Sequence, residues 1–321
     1  MKLAFLFPGQ GSQAVGMLDS LAGVPVVADL IQQADDALGE RLSQLIAQGP
    51  AEALGLTVNT QPAMLLAGLA CYRAWRAAGG ADAVAMAGHS LGEYTALTAA
   101  DAFEPAEAFR MVRLRAQAMQ EAVPVGAGGM AAILGLSDDQ VREACRVANE
   151  AMAGVAPAHA GVAEVVEPAN FNAPAQVVIA GSKAAVERAC EAAKALGAKR
   201  ALPLPVSAPF HSSLLRPAGE RLAAALHARP PRSPRIPIVN NVDVAHPADP
   251  SAIVDALVRQ SFGPVRWVEV VQALQGMGVT HVIEFGPGKV LGGLVKRIAP
   301  ALGVSTVFDA ASLDAVLKEL A

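Results

Sequence analysis

The stretch that most restricts the fold runs from Ala83 to Leu97. Ala83-Val84-Ala85-Met86-Ala87 is an apolar run of strand length, Gly88-His89-Ser90-Leu91-Gly92 is a G-x-S-x-G pentapeptide, and Leu91–Leu97 reads as helix. A strand, a tight turn and a helix in that order hold the central serine on strained backbone, with its hydroxyl clear of the sheet beside a helix N-terminus. The two glycines let neighbouring chains pass without a Cβ clash. The pentapeptide alone is common, and a purely structural Gly-Ser-Gly turn is the competing reading. Its context favours a nucleophile elbow, and with it acyl transfer through a serine ester.

Around the elbow, short apolar runs at 3–7, 83–87, 236–239 and 281–285 read as strands. They alternate with helical patterns, notably 61–78, 91–100, 105–122 and 252–260. That alternation predicts an α/β fold with a mainly parallel sheet. The middle of the chain departs from it. Met130–Leu134 reads as a strand, and Asp138–Ala151 as a helix that Ser137 opens. Strands near 163–170 and 176–180 are joined by an Asn-Ala-Pro turn. A helix capped by Ser182 then runs to Leu196, and 199–204 is a last strand. The β-α-β-β-α-β order is the split-βαβ, ferredoxin-like unit. The predicted division is a larger domain of 1–125 plus 206–321, with a small domain of 126–205 inserted. Within the insert, 153–163 reads as a loose loop.

A chain of 321 residues supports one large domain or two unequal ones. The 53% hydrophobic content is largely alanine along amphipathic stretches, and no run approaches the roughly 18 apolar residues of a membrane span. Leu3–Phe7, closed by Pro8-Gly9, reads as a first buried strand rather than a signal-peptide core. Cys71, Cys145 and Cys190 are few, odd in number and far apart, which fits reduced thiols in the cytoplasm. A net charge of −4 gives no reason to expect nucleic-acid binding.

A serine nucleophile needs a base, an oxyanion hole and a means of selecting its acyl group. Among six histidines, His89 adjoins the serine but leaves the elbow in another direction. His227 belongs to an Ala-rich helix, His246 to a Pro-rich turn, His159 to the loose loop and His281 to a buried strand. His211 lies in a Pro-kinked loop, Val206–Ser212, that returns from the insert, and such loops commonly deliver catalytic groups.

The loop Pro8-Gly9-Gln10-Gly11-Ser12-Gln13 follows the first strand at the carboxyl end of the sheet, where open α/β proteins place their sites. Gly9, Gly11 and Ala14 loosely match a dinucleotide fingerprint. That reading needs an acidic strand end about 20 residues on, and Asp29 has a helix-like setting after Pro25. The other reading is that the glycines free Gln10 and the backbone to point amides at a developing oxyanion.

Periodicity singles out Arg115. On helix 105–122 it shares a face with Ala108, Met111, Val112, Ala118, Met119 and Ala122, whereas Arg113 and Arg110 point about 160° and about 140° away. An arginine on an apolar stripe needs a partner. Two partners fit: a protein carboxylate in a structural salt bridge, or a substrate carboxylate held by the bidentate fork.

Together these residues resemble the malonyl-CoA:acyl-carrier-protein transacylases and the acyltransferase domains of fatty-acid and polyketide synthases. The signposts occur in order: FPGQGSQ at 7–13, GHSLGEY at 88–94, R-x-x-x-M-Q at 115–120 and NFNAPAQVVIAG at 170–181. His211 follows with its preceding Ala-Pro-Phe, then NNV at 240–242, LVRQSFGPVRW at 257–267 and FGPGKVL at 285–291. The resemblance implies a hydrolase-like larger domain and a ferredoxin-like insert. It implies Ser90 as nucleophile, His211 as base and Arg115 as clamp for the malonyl carboxylate. Gln10 and the Leu91 backbone N–H would form the oxyanion hole, and a backbone carbonyl at Gln260 would orient the histidine in place of an acid. Phe210 matches the aromatic of malonyl-selecting domains, where a ring crowds an α-methyl group; plain packing is its other reading. This chain has Arg115-Ala116 where the family often has Arg-Gly, and its 153–163 loop looks longer than usual.

What the resemblance implies for activity is transfer of malonyl from malonyl-CoA to the phosphopantetheine thiol of acyl carrier protein in fatty-acid biosynthesis. No cofactor and no metal is expected, because both half-reactions are acyl exchanges. A malonyl transferase of polyketide synthesis or malonate decarboxylation would share the chemistry, and a serine thioesterase would share the elbow. A non-catalytic docking subunit would have no need of Ser90, His211, Gln10 and Arg115 together. The protein is expected to be a cytoplasmic monomer without membrane or nucleic-acid partners. Lys183, Arg188, Lys194, Lys199, Arg200, Lys289, Lys296 and Arg297 are candidate contacts for an acidic carrier, or else an ordinary solvated face.

Overall fold

A computed structural model describes residues 1–320 apart from positions 153, 155, 157, 160 and 207. Part of the 153–163 loop and Ser207 of the loop before His211 therefore lie outside the described residues. In chain order the strands are β1 (Leu3–Phe7), β2 (Ala85–Gly88), β3 (Gly128–Leu134), β4 (Val166–Ala173), β5 (Gln176–Ser182), β6 (Arg200–Pro203), β7 (Ile238–Val239), β8 (His281–Phe285) and β9 (Gly303–Val307). They build a parallel sheet of order β7-β2-β1-β8-β9 and an antiparallel sheet of order β4-β5-β3-β6. The second order is that of a ferredoxin-like unit, and the fold is α/β as expected.

Every residue of β1 is buried, because helices cover both faces of a parallel sheet. On one face Phe5, Phe7 and Phe285 meet Tyr72 and Trp75 of helix Thr57–Ala77, mostly edge to face. On the other, Ala4, Leu6, Ala85, Ala87 and Val282 pack with Trp267, Val270 and Leu274 of helix Trp267–Gly276. Phe7 sits level with Gly88 in the register, so the loops leaving β1 and β2 emerge side by side. That register places residues 8–13 against the elbow.

Alternation along β3 divides the work of the small sheet. Ala131 and Ile133 face helices Asp138–Met152 and Lys183–Ala195. Met130 and Ala132 face Ala118, Met119, Phe210 and Leu215, as the two-residue period of a strand requires. Ser137 and Ser182 cap their helices: the Ser137 hydroxyl accepts from Gln140 N–H at 3.3 Å and that of Ser182 from Ala185 N–H at 3.4 Å. Gln140 returns a bond to Ser137 N–H at 2.9 Å, completing a capping box. The small sheet is also stitched to the loop before helix Trp267–Gly276. Phe171 N–H donates to Val265 O, and Val265 N–H to Ala169 O, each at 2.9 Å.

Three local expectations shift. Asn172 and Ala173 stay in β4, and the turn falls on Pro174-Ala175, with Ala175 at φ 59°. The 236–239 strand shortens to Ile238–Val239, since Pro237 has no N–H to give a ladder. Helix 61–78 begins earlier, at Thr57. The edge strand β9 was not anticipated; its half-buried pattern carries little apolar signal. Asp29 lies within helix Pro25–Leu38, so the loop at 8–13 lacks the acidic strand end that a dinucleotide site requires.

Candidate active site

The elbow forms because two glycines stand where nothing else fits. A Cβ on Gly88 would lie 1.8 Å from the Gly92 carbonyl carbon, and one on Gly92 would lie 2.0 Å from Phe7 O. Between them Ser90 adopts φ 53° and ψ −109°, a strained conformation that persists only where its surroundings impose it. Asn241 imposes it from both sides. Its Oδ1 accepts from Ser90 N–H and its Nδ2 donates to Gly88 O, both at 2.7 Å. The N–H of Leu91 is the first of helix Leu91–Ala99 and has no carbonyl in its own helix to bond.

Ser90 and His211 come together across 121 residues of chain, with Ser90 Oγ 2.6 Å from His211 Nε2. The other ring nitrogen, Nδ1, lies 2.9 Å from Gln260 O and 3.2 Å from Gly263 O. Two carbonyls can only accept, so Nδ1 carries the proton and Nε2 presents its lone pair to the serine hydroxyl. Burial pushes the imidazole pKa down to about 3, and the Arg115 charge adds to the shift. The ring is therefore neutral and able to take a proton.

Arg115 is 1% exposed. Its Nη1 donates to Gln61 Oε1 at 2.8 Å, and its Nη2 to Gln260 Oε1 at 3.0 Å and Ser90 Oγ at 3.2 Å. Its guanidinium lies 5.4 Å from the centre of the Tyr94 ring. Among the described residues no carboxylate forms an ion pair with it, which removes the salt-bridge reading. Arg113, expected to be solvated, pairs with Glu40, and Arg110 donates to Ala37 O at 3.2 Å.

Glu93, on the helix that follows the elbow, is buried behind the serine. Its Oε2 accepts from Asn241 N–H at 2.9 Å and from Gln260 Nε2 at 3.0 Å. Burial raises its pKa to about 7 against these bonds and the Arg115 charge. Gln260 is thus the hub: its carbonyl meets His211, its Oε1 meets Arg115, and its Nε2 meets Ser90 O at 2.9 Å as well as Glu93.

These groups open onto a cavity of about 900 Å³ between the two sheets. Gln10, Ser90, Arg115, Phe210 and His211 all line it. Gln10 is exposed on its rim. Phe210 is 7% exposed, and it packs in the core beneath the small sheet while lining the cavity. The remaining histidines lie elsewhere or turn away. His89 Nε2 is 2.8 Å from Asn172 Oδ1, with its ring against Trp267. His281 Nε2 is 2.8 Å from Ser305 Oγ. His159, His227 and His246 are on the surface.

Asn241, Glu93 and Gln61 received no role from the sequence. Asn241 and Glu93 stood inside quoted motifs, and Gln61 was the last polar residue before a long apolar helical run. A buried polar group at such a place is the signal that could have marked it.

A strained serine bonded to a neutral imidazole, with helix N–H groups and a guanidinium about it, defines an acyl-transfer enzyme. A family model described as an acyl transferase domain matches residues 4–298, and the chain belongs to that family. Its likeness within the family is to the malonyl transferases. It is 50% identical over 319 residues to the malonyl CoA-acyl carrier protein transacylase of Salmonella typhimurium, covering 99% of both. The crystal structure of the acyl-carrier-protein S-malonyltransferase from Burkholderia pseudomallei superposes with a TM-score of 0.93 at 61% identity, over 99% of this chain and 100% of that one. A malonyl-transacylase in complex with a type II PKS acyl-carrier protein superposes with a TM-score of 0.93 at 47% identity, over 99% and 100%.

Among the described residues no helix is long and apolar enough to cross a membrane. Cys71, Cys145 and Cys190 are buried free thiols. Of the basic residues considered for a carrier, Lys183, Arg188, Lys194, Lys199, Arg200 and Lys296 are exposed. Arg297 is engaged instead, donating to Pro174 O at 3.0 Å, and Lys289 sits over the Phe308 ring.

Proposed function

We propose that the protein transfers malonyl from malonyl-CoA to the phosphopantetheine thiol of an acyl carrier protein through a malonyl ester on Ser90. The observation that carries this reading is Arg115, a buried cation held by neutral amides 3.2 Å from the serine hydroxyl. A carboxylate on the acyl group would complete it.

In the first half-reaction His211 Nε2 takes the Ser90 proton as Oγ attacks the thioester carbonyl. The oxyanion is received by the Leu91 N–H and the Gln10 amide. Collapse expels CoA as a thiol, protonated by His211. The carrier's thiol then gives its proton to the same nitrogen and attacks the ester, and Ser90 regains its proton on release. Gln260 O holds the imidazolium through Nδ1–H in both halves. The likeness to malonyl CoA-acyl carrier protein transacylases supports an acyl carrier protein as acceptor, and a carrier of fatty-acid biosynthesis is the one we infer; the insert's exposed lysines and arginines supply a surface for an acidic carrier. The same chemistry would serve a polyketide carrier such as that bound by the 47% identical neighbour.

Arg115→Ala is expected to lower malonyl loading about 10- to 150-fold, the worth of a hydrogen-bonded charge contact, while acetyl loading from acetyl-CoA persists. Radiolabelled loading of both thioesters checks it, and equal loss of the two would reject the clamp. Methylmalonyl-CoA in the same assay reports on Phe210.

A pH profile tests the base. An imidazole lowered to about 3 is deprotonated throughout the ordinary range. The kcat/KM profile is therefore expected to pass without a break through 6.5, where an unperturbed histidine titrates. A limb centred there, lost in His211→Gln, would contradict the assignment of a desolvated base.

A further inference from the structure

Buried arginines are ordinarily matched by a carboxylate, because an uncompensated charge in the interior is costly. Arg115 departs from that rule in a specific way. Its fixed acceptors are the side-chain carbonyls of two glutamines, Gln61 at 2.8 Å and Gln260 at 3.0 Å. The nearest buried acid, Glu93, is turned to Asn241 N–H and Gln260 Nε2. Gln260 has its own duties to His211 and the elbow. Gln61 has none: it is 1% exposed on helix Thr57–Ala77, and among the described residues its other hydrogen-bond partner is the weakly accepting Met119 sulfur, 3.9 Å from Nε2. A guanidinium can only donate, so it draws the amide oxygen to itself and leaves Nε2 to that weak acceptor. Gln61 also lines the cavity.

We propose that Gln61 is a specificity-determining residue whose neutral amide fixes the Arg115 guanidinium in place while leaving its positive charge for a carboxylate-bearing acyl group. This rests on the reading of Arg115 given above. A glutamate at position 61 would have the same size and reach the same nitrogen. It would remain ionised beside the guanidinium. It would then offset the charge that a second anion must find.

The test compares wild type, Gln61→Glu, Gln61→Met and Arg115→Ala for the ratio of malonyl to acetyl loading, with the adduct read by intact-protein mass spectrometry. Gln61→Glu is expected to lower that ratio about 10- to 150-fold. Gln61→Met loses the positioning bond but keeps the charge, so it is expected to lower the ratio less than Gln61→Glu does. Charge also reaches His211, whose protonation Arg115 opposes. In Gln61→Glu the acid limb of kcat/KM is therefore expected to rise above about 3, the larger part of the shift, which burial causes, being kept, and in Gln61→Met to stay. The new carboxylate meets a cation already in place, so Gln61→Glu is expected to melt no lower than wild type.

The proposal is overturned if Gln61→Glu keeps the wild-type ratio, if Gln61→Met lowers it as far, or if Gln61→Glu is too unstable to assay. Failure of the underlying reading looks different: the wild type would show no malonyl preference, or Arg115→Ala would leave the ratio unchanged.

Discussion

Ser90→Ala is expected to abolish the covalent acyl adduct and to lower transfer on the order of 10⁴- to 10⁶-fold, as removal of a serine nucleophile does elsewhere. Intact-protein mass spectrometry after incubation with malonyl-CoA reads the adduct directly, and a malonylated alanine variant would refute the assignment. The size of the effect follows from how much converges on one oxygen. Ser90 Oγ bonds the His211 ring at 2.6 Å and Arg115 at 3.2 Å, while Asn241 pins its backbone. Without that oxygen His211 and Arg115 stay in place but have no acyl acceptor to serve. The variant should therefore fold normally and still bind malonyl-CoA.

Gly88→Ala is expected to be the most disruptive change of backbone. The added carbon would stand 1.8 Å from the Gly92 carbonyl carbon and 2.3 Å from Glu93 N. Both are main-chain atoms, so no side-chain rotation relieves the clash and the elbow itself must move. A loss of about 4 kcal/mol or more is expected, at the upper end for single substitutions. The melting temperature should drop by roughly 10 °C, with loading lost as well. Gly293→Ala is the control. It meets nothing within 4 Å in the middle of helix Val290–Ile298, and replacing a helical glycine should hold or raise stability by about 0.5–1 kcal/mol. Thermal unfolding of the two variants checks both expectations, and equal melting would contradict the steric account.

This contrast also explains what could be read from the chain and what could not. The elbow was legible because its demands are local: two glycines and a serine within five residues, after an apolar run. The β-α-β-β-α-β order was legible because caps such as Ser137 and Ser182 act within three residues. Arg115 was legible as a buried cation from the 3.6-residue period of its helix, but its partners were not. Gln61 stands 54 residues before it and Gln260 145 after it, and no periodicity links such distances. Gln260 and the Leu91 N–H entered only through family resemblance, because a backbone carbonyl or amide has no letter of its own. Strand β9 escaped because its half-buried pattern carries little apolar signal, and β7 shrank to two residues because Pro237 has no N–H to give a ladder.

The stitch between β4 and Val265 has a mechanical consequence. Main-chain bonds on either side of Asn170 join the floor of the small sheet to the loop leading into helix Trp267–Gly276. Two slabs sewn along one margin cannot gape there. On the other margin, where exposed Gln10 and Val290 line the cavity, no main-chain bond among the described residues ties the small sheet down. The fold is thus hinged by hydrogen bonds on one side of the cavity and held on the other by side chains alone.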